Sequence, residues 1–293
     1  MSELIKLENR AILEIKGAEA EDFLQGILTN DVLQLADDKA IYAGLLTPQG
    51  KLLFDFFVVK NEGYFYLDVD KSEAQNLAKR LMFYKLRADV DIKVIEEAVI
   101  CVSLDGKGQD GASALAYEDP RTKGMGQRFL FVEGEPPLEC SGNAEQWLAH
   151  RVAHGVPEAG SDFTYGNCFP HDIAMDQLNG IGFKKGCYVG QEVVSRMQHR
   201  GTARKRPMMM IGAHDLPATS LETPAKILAE GSVIGTVGSV SGSMGLAEIR
   251  LDRAVKALSE GKKFDVEGIS IQLQKPDWAS YGDEFDNVGE SGH

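Results

Sequence analysis

The feature that most constrains how this chain can fold is a change of pattern at Pro207. Upstream, strand-like and helix-like stretches alternate. Downstream, short apolar runs follow one another at Met208 to Ala213, Ala225 to Leu228, Ser232 to Val240, Gly245 to Leu251 and Ile269 to Leu273, divided by glycine. Strand-length segments separated by Gly turns predict a small all-β domain, so a domain boundary is expected just before Pro207.

The upstream part reads as an α+β assembly. Arg10 to Lys16 alternates as a strand, and Ala18 to Leu28 carries Phe23, Leu24, Ile27 and Leu28 as one apolar helical stripe. Ala40 to Leu46 and Lys51 to Lys60 flank the turn residues Thr47-Pro48-Gln49-Gly50 and predict a hairpin. A strand at Tyr64 to Val69, a helix at Lys71 to Arg87, and strands at Val90 to Val94 and Ala98 to Leu104 follow. Residues 105 to 127 are rich in Gly, Asp and Lys and read as a loop. A strand near Arg128 to Val132 precedes a helix at Ala144 to His154, stopped by Gly155 and Pro157. The tail from Tyr281 is poor in apolar residues and reads as disordered. No internal repeat is evident.

At 293 residues and 43% hydrophobic content the chain can bury one large core or two to three smaller ones. Its first residues show no leader pattern and no segment approaches the length of a membrane span, so a cytoplasmic location without membrane contact is expected. The four cysteines, Cys101, Cys140, Cys168 and Cys187, form no C-x-x-C pair, and spacing announces neither a metal site nor a disulfide framework. The net charge of -13 argues against direct binding of nucleic acid. Yet Lys184 to Arg206 holds seven basic residues and one acid, a window of +6 in a remainder of -19. Such a run is either a solvated loop or a site for an anionic ligand or partner.

Inside that window lies Lys185-Gly186-Cys187-Tyr188-Val189-Gly190-Gln191-Glu192, continued by Val193-Val194-Ser195-Arg196. Two glycines bracketing a cysteine permit a sharp turn, and Lys184, Lys185 and Arg196 are expected to favour the thiolate. Cys187 is therefore the candidate reactive residue; the alternative is a structural cysteine in a loop-to-helix turn.

This octapeptide resembles the hallmark of the YgfZ-type folate-binding proteins, relatives of the glycine-cleavage T-protein. Phe23-Leu24-Gln25-Gly26-Ile27-Leu28-Thr29-Asn30-Asp31, Thr47-Pro48-Gln49-Gly50-Lys51, Trp147 to Pro157 and Gly182-Phe183-Lys184 resemble the same family. The resemblance implies an α+β fold of three domains in a ring around a central cavity, the last barrel-like. The corresponding division is 1–45 with 128–200, 46–127, 201–276, and a tail 277–293. It also implies tetrahydrofolate or a derivative as cofactor, and a role in assembling or repairing iron-sulfur proteins, with clients such as tRNA methylthiolation enzymes. Cys187 would be the working residue, within a motif of Lys185, Gly186, Tyr188, Gly190, Gln191, Glu192 and Arg196.

A folate presents a flat pterin and a carboxylate tail, which an aromatic and a cation can hold. Trp147 and Arg151, four apart on the predicted helix, supply one of each and match positions that the family uses for folate, with Tyr66 as a further candidate. The T-protein has paired aspartates after its Gly-rich hairpin, where this chain has Phe54 and Asp55. A phenyl ring neither positions the folate amine nor carries its proton, which leans away from the second reading, a folate-dependent aminomethyltransferase or demethylase. A third reading is an interaction module using the basic window.

Overall fold

The computed structural model describes residues 3–106, 114–132, 140–201 and 203–285. The chain divides into two compact units, 1–147 with 178–195, and 148–177 with 196–293.

The first unit runs β1 (Leu4–Lys6), β2 (Arg10–Lys16), α1 (Ala20–Ile27), β3 (Ala40–Leu46), β4 (Leu52–Asn61), β5 (Tyr64–Asp70), α2 (Ala74–Lys85), β6 (Asp91–Ile95), β7 (Val99–Ser103), β8 (Leu115–Glu118) and β9 (Gln127–Phe131). Five strands form one antiparallel sheet in the order β3-β4-β5-β2-β6, and four form another in the order β1-β7-β9-β8. The period of two in β5 sorts its side chains. Phe65, Leu67 and Val69 join the core with Leu24 and Leu28 at α1 and Leu77 and Leu81 of α2. Tyr66 and Asp68 fall on the opposite face.

Because β2 pairs with both β5 and β6, β4 with β5, and β3 with β4, the five strands between residues 10 and 95 make a single sheet. An expected boundary between 45 and 46 would cut the β3-β4 hairpin, whose cross-strand hydrogen bonds hold it together. The stretch expected to be a loop contains β8, which pairs with β9 and buries Tyr117; four residues amid Gly and Asp are too few to show a period. Residues 107–113 of that stretch lie outside the described residues.

The second unit takes up α3 (Ala144–Ala153) from Leu148 onward and α4 (Gln191–Arg200) from Arg196 onward. It continues with β10 (Lys205–Gly212), β11 (Lys226–Ala229), β12 (Ser232–Ser241), β13 (Met244–Arg250), α5 (Leu251–Ser259), β14 (Phe264–Val266) and β15 (Ile269–Gln274). These strands close into a barrel, β10-β13-β12-β11-β14-β15, which removes exposed sheet edges. Met208 and Met210 point inward onto Ile227, Ala247 and Leu273, while Met209 between them packs outside against Val152 and Leu246. β14 is too short to announce itself in the sequence, and α5 was hidden within the run of strands.

The expectation of a disordered tail fails as far as residue 285. Phe285 is buried in the barrel core, Trp278 donates its indole N–H to His154 O, and Tyr281 donates its hydroxyl to Pro207 O. An anchored terminal segment needs only a few large apolar residues. Residues 286–293 lie outside the described residues. No helix among those described is long and apolar enough to cross a membrane.

Candidate functional site

The conspicuous sequence segments meet in the first unit, and Lys185 joins two of them. Its ammonium is buried and donates to Gln25 O, Leu28 O and Asn30 O at 2.7, 2.5 and 3.0 Å. These carbonyls lie in the last turn of α1 and the residues just after it, where helix ends leave acceptors unpaired and a cation is favoured. An ammonium has three donors for three acceptors. Burial pushes Lys185 down to about 8, while Asp31 works in the opposite direction. Around this anchor, Thr29 donates its hydroxyl to Gly180 O and accepts from Gly44 N, Gly182 N donates to Thr29 O, and the Asn30 amide donates to Tyr42 O and Asn179 O. The Gln25–Asp31 segment is thereby locked to the approach to the cysteine loop.

The third segment docks through close backbone approach. Gly190 has φ +83, and a Cβ there would lie 2.6 Å from Thr47 O; a Cβ on Gly50, at φ +77, would lie 2.7 Å from Val193 Cβ. The glycine requirement is therefore real at Gly190. Gly186, by contrast, has open space around its Cβ position and no positive φ. Gly190→Ala is expected to lower stability by about 1–3 kcal/mol through combined strain and clash, whereas Gly186→Ala leaves the urea midpoint nearly unchanged; equal effects would refute this division.

Between the two glycines, Cys187 is exposed and Tyr188 is buried with its ring 5.1 Å from the Lys185 ammonium. Burial pushes the Tyr188 phenol up to about 12. Helix α4 starts immediately after, with Gln191 N donating to Tyr188 O and Glu192 in the first turn. The arrangement presents one thiol to solvent on a loop fixed from both sides. Of the cations expected to favour the Cys187 thiolate, Lys185 is committed to carbonyls, while Lys184 and Arg196 are exposed. In the wider basic window, Lys205 pairs with Glu248, and Arg206 forms a two-pronged pair with Asp176.

The remaining candidates divide between the units. Tyr66 is half-buried on β5, its ring stacked at 6.3 Å on Tyr64. Trp147 is 5% exposed, with the Arg128 guanidinium 5.3 Å from its ring. Arg151, in the second unit, is 1% exposed and donates to Val156 O, Asp162 and Ser239. Asp55, left beside Phe54 where a carboxylate pair was sought, accepts a 2.6 Å hydrogen bond from the Tyr42 hydroxyl, and Phe54 is in the core.

What sequence reasoning missed is a buried polar network between the two sheets of the first unit. Asp68 accepts from Arg10 Nε (2.6 Å), Arg128 Nη1 (2.9 Å) and the Tyr117 hydroxyl (2.8 Å). Asp119 accepts from Arg121 (2.7 Å) and Arg128 (3.3 Å). The three guanidinium carbons lie 4.4 to 5.9 Å from the Phe57 ring. An alternation of polar residues along β5 was the only signal available. Among the described residues no group of three or more His, Cys, Asp or Glu is placed to hold a metal ion.

This architecture defines a class: proteins related to the glycine-cleavage T-protein, ending in a β-barrel. Residues 3–112 match the GCVT N-terminal domain, and residues 204–281 match the CAF17 C-terminal beta-barrel domain. The glycine cleavage system aminomethyltransferase T from Bartonella henselae shares the fold, with a TM-score of 0.72 at 15% identity over 95% of this chain and 86% of that one. More specifically, the chain is 31% identical over 305 residues to the human mitochondrial iron-sulfur cluster assembly factor IBA57, covering 93% of this chain and 84% of the relative. It is also 31% identical to the IBA57 homolog of Neurospora crassa, over 77% of this chain and 59% of that longer protein. The chain belongs to the IBA57 family. The resemblance read from the motifs was thus correct for the T-protein relatives as a group, while the family is IBA57 rather than YgfZ specifically. The cytoplasmic expectation is overturned: these relatives are mitochondrial by name and point to the mitochondrion.

Proposed function

We propose that this protein assists the assembly of iron-sulfur clusters by offering the Cys187 thiolate to a cluster in transit. The supporting observation is that Cys187 is exposed on a loop fixed by Lys185 on one side and by Gly190 on the other. Iron-sulfur clusters are held by cysteine thiolates, usually four. One exposed thiolate supplies one ligand, so a partner or a second thiol donor completes the set during transfer. The clients we propose are iron-sulfur enzymes, those that methylthiolate tRNA among them. Cys187→Ala should leave unfolding free energy within about 0.5 kcal/mol, as at other exposed sites. In cells lacking the protein, the variant should fail to restore tRNA methylthiolation. Full restoration would remove Cys187 from the function.

A reduced folate is the ligand we propose for this fold, with Trp147, Arg151 and Tyr66 as the residues to test. Tyr66 fits as it stands, with a half-buried ring. Trp147 and Arg151 do not offer free surface: the indole is enclosed, and both Nη atoms of Arg151 already donate to Val156 O, Asp162 and Ser239, so a folate carboxylate at those atoms would have to replace Asp162. When bound, the folate would supply a one-carbon carrier. Titration with tetrahydrofolate should change tryptophan fluorescence and raise the melting temperature, and Tyr66→Ala should weaken both responses. A flat titration at saturating ligand would exclude folate while leaving the cysteine proposal standing.

A further inference from the structure

The end of α2 carries an unusual surface. Phe83 is 70% exposed, Met82 47% and Leu86 82%, although the same helix buries Leu77, Ala78 and Leu81 in the core. Three large apolar side chains side by side in water contribute nothing to folding, and such patches mark interaction sites. Leu86 caps the helix with φ +50. With ψ −101 this lies outside the left-handed helix-cap region, in a part of backbone space that residues other than glycine rarely adopt, so leucine there bears a backbone cost as well as an exposure cost. Lys79, Arg80 and Arg87 surround the patch, all exposed and without a hydrogen bond or ion pair among the described residues. On the helix, Lys79 lies three and four residues before Met82 and Phe83, and Arg80 three before Phe83, so both cations share the apolar face.

We propose that this helix end docks an acidic protein segment that brings apolar side chains to Phe83 and Leu86 and carboxylates to Lys79, Arg80 and Arg87. Charge complementarity selects the occupant. A second copy of the chain meeting the first through the same patch would set three cations against three. A lipid surface is disfavoured because the rest of the helix's apolar face is already buried, whereas membrane-surface helices lay a whole apolar face into the bilayer. An aromatic knob ringed by unpaired cations suits a protein partner, where a few such residues carry most of the affinity. The surface is separate from the Cys187 loop in composition and in argument, and it stands whether or not that cysteine meets a cluster.

The test pans a displayed library of random peptides against the full chain. Two exposed double variants, Phe83→Ser with Leu86→Ser and Arg80→Glu with Arg87→Glu, serve as controls and keep the fold because none of these side chains is buried. The expected result is enrichment of peptides combining Asp or Glu with Leu, Phe or Trp, which lose roughly tenfold or more in affinity by fluorescence anisotropy on either variant. No enrichment, a basic consensus, or equal binding to the variants would overturn the proposal. So would patch-dependent dimerisation in sedimentation equilibrium, which would identify a second copy as occupant. Patch-dependent flotation with anionic phospholipid vesicles would overturn it in favour of a membrane.

Discussion

Asp68→Asn should destabilise the first unit by about 3–5 kcal/mol, the cost of breaking a buried ion pair by removing one partner's charge. Asp68 has no exposed side-chain surface and is the shared acceptor of Arg10, Arg128 and Tyr117. An asparagine keeps the shape but removes the charge that faces both Arg10 and Arg128; Arg128 retains Asp119, which the Arg121 guanidinium already engages in two hydrogen bonds. Urea denaturation measures the effect. A double variant with Arg10→Met should lose less than the sum of the two single losses, because each single change breaks the same pair. Strict additivity would show that Arg10 and Asp68 are not coupled.

The same network sets an acid limit. Burial tends to raise the Asp68 carboxyl, but Arg10 and Arg128 outweigh it and hold the group below its usual range; at Asp119 burial is likewise outweighed, by Arg121 and Arg128, which bring it to about 2. A carboxyl whose folded value is depressed stabilises the fold fully above its unfolded value, about 4. That contribution is lost as pH falls from there through about 2. Wild-type stability should therefore drop steeply between about pH 4 and 2, and the Asp68→Asn protein, lacking one of the two titrating groups, should show a shallower drop. Parallel slopes would contradict the assignment.

Lys185→Met should have an effect of similar size, about 3–5 kcal/mol. Methionine approximates the length of the stem, so the loss isolates the ammonium, and three carbonyls are left without their donor at about 1–3 kcal/mol for each unsatisfied group. Partial entry of water keeps the sum toward the lower end of that arithmetic. Lys185→Arg should not restore stability, because a planar fork cannot converge on three carbonyls as an ammonium does. Hydrogen exchange gives the second readout. The amides of Gly182 and Gly44, whose acceptors lie at Thr29, should lose protection together in the methionine variant. Protection retained at both would show that Lys185 is not what joins the two segments.

Much of the candidate site was legible as a set of segments, because turn glycines and an unusual Lys-Gly-Cys-aromatic run leave a local trace. Gly190 and Gly50 are examples: a tight approach leaves glycine behind whatever it approaches. The role of Lys185 was not legible. A lysine beside a cysteine reads as an activating cation, whereas here the side chain turns inward to carbonyls more than 150 residues earlier. Nor could the sequence show that Trp147 and Arg151, four apart on one helix, are both buried, Arg151 on hydrogen bonds to Val156, Asp162 and Ser239.

The sequence by itself determined most of the strands and helices, the change to an all-β domain near Pro207 and a cysteine set between turn glycines, since periodicity, turn residues and short-range sterics act over a few residues. Only the tertiary structure decided which charges are free and which are spent. Asp68 on β5, Arg128 on β9 and Lys185 before α4 acquire their partners when distant segments are brought within hydrogen-bond distance. Burial then makes those pairings strong, because water no longer competes for them.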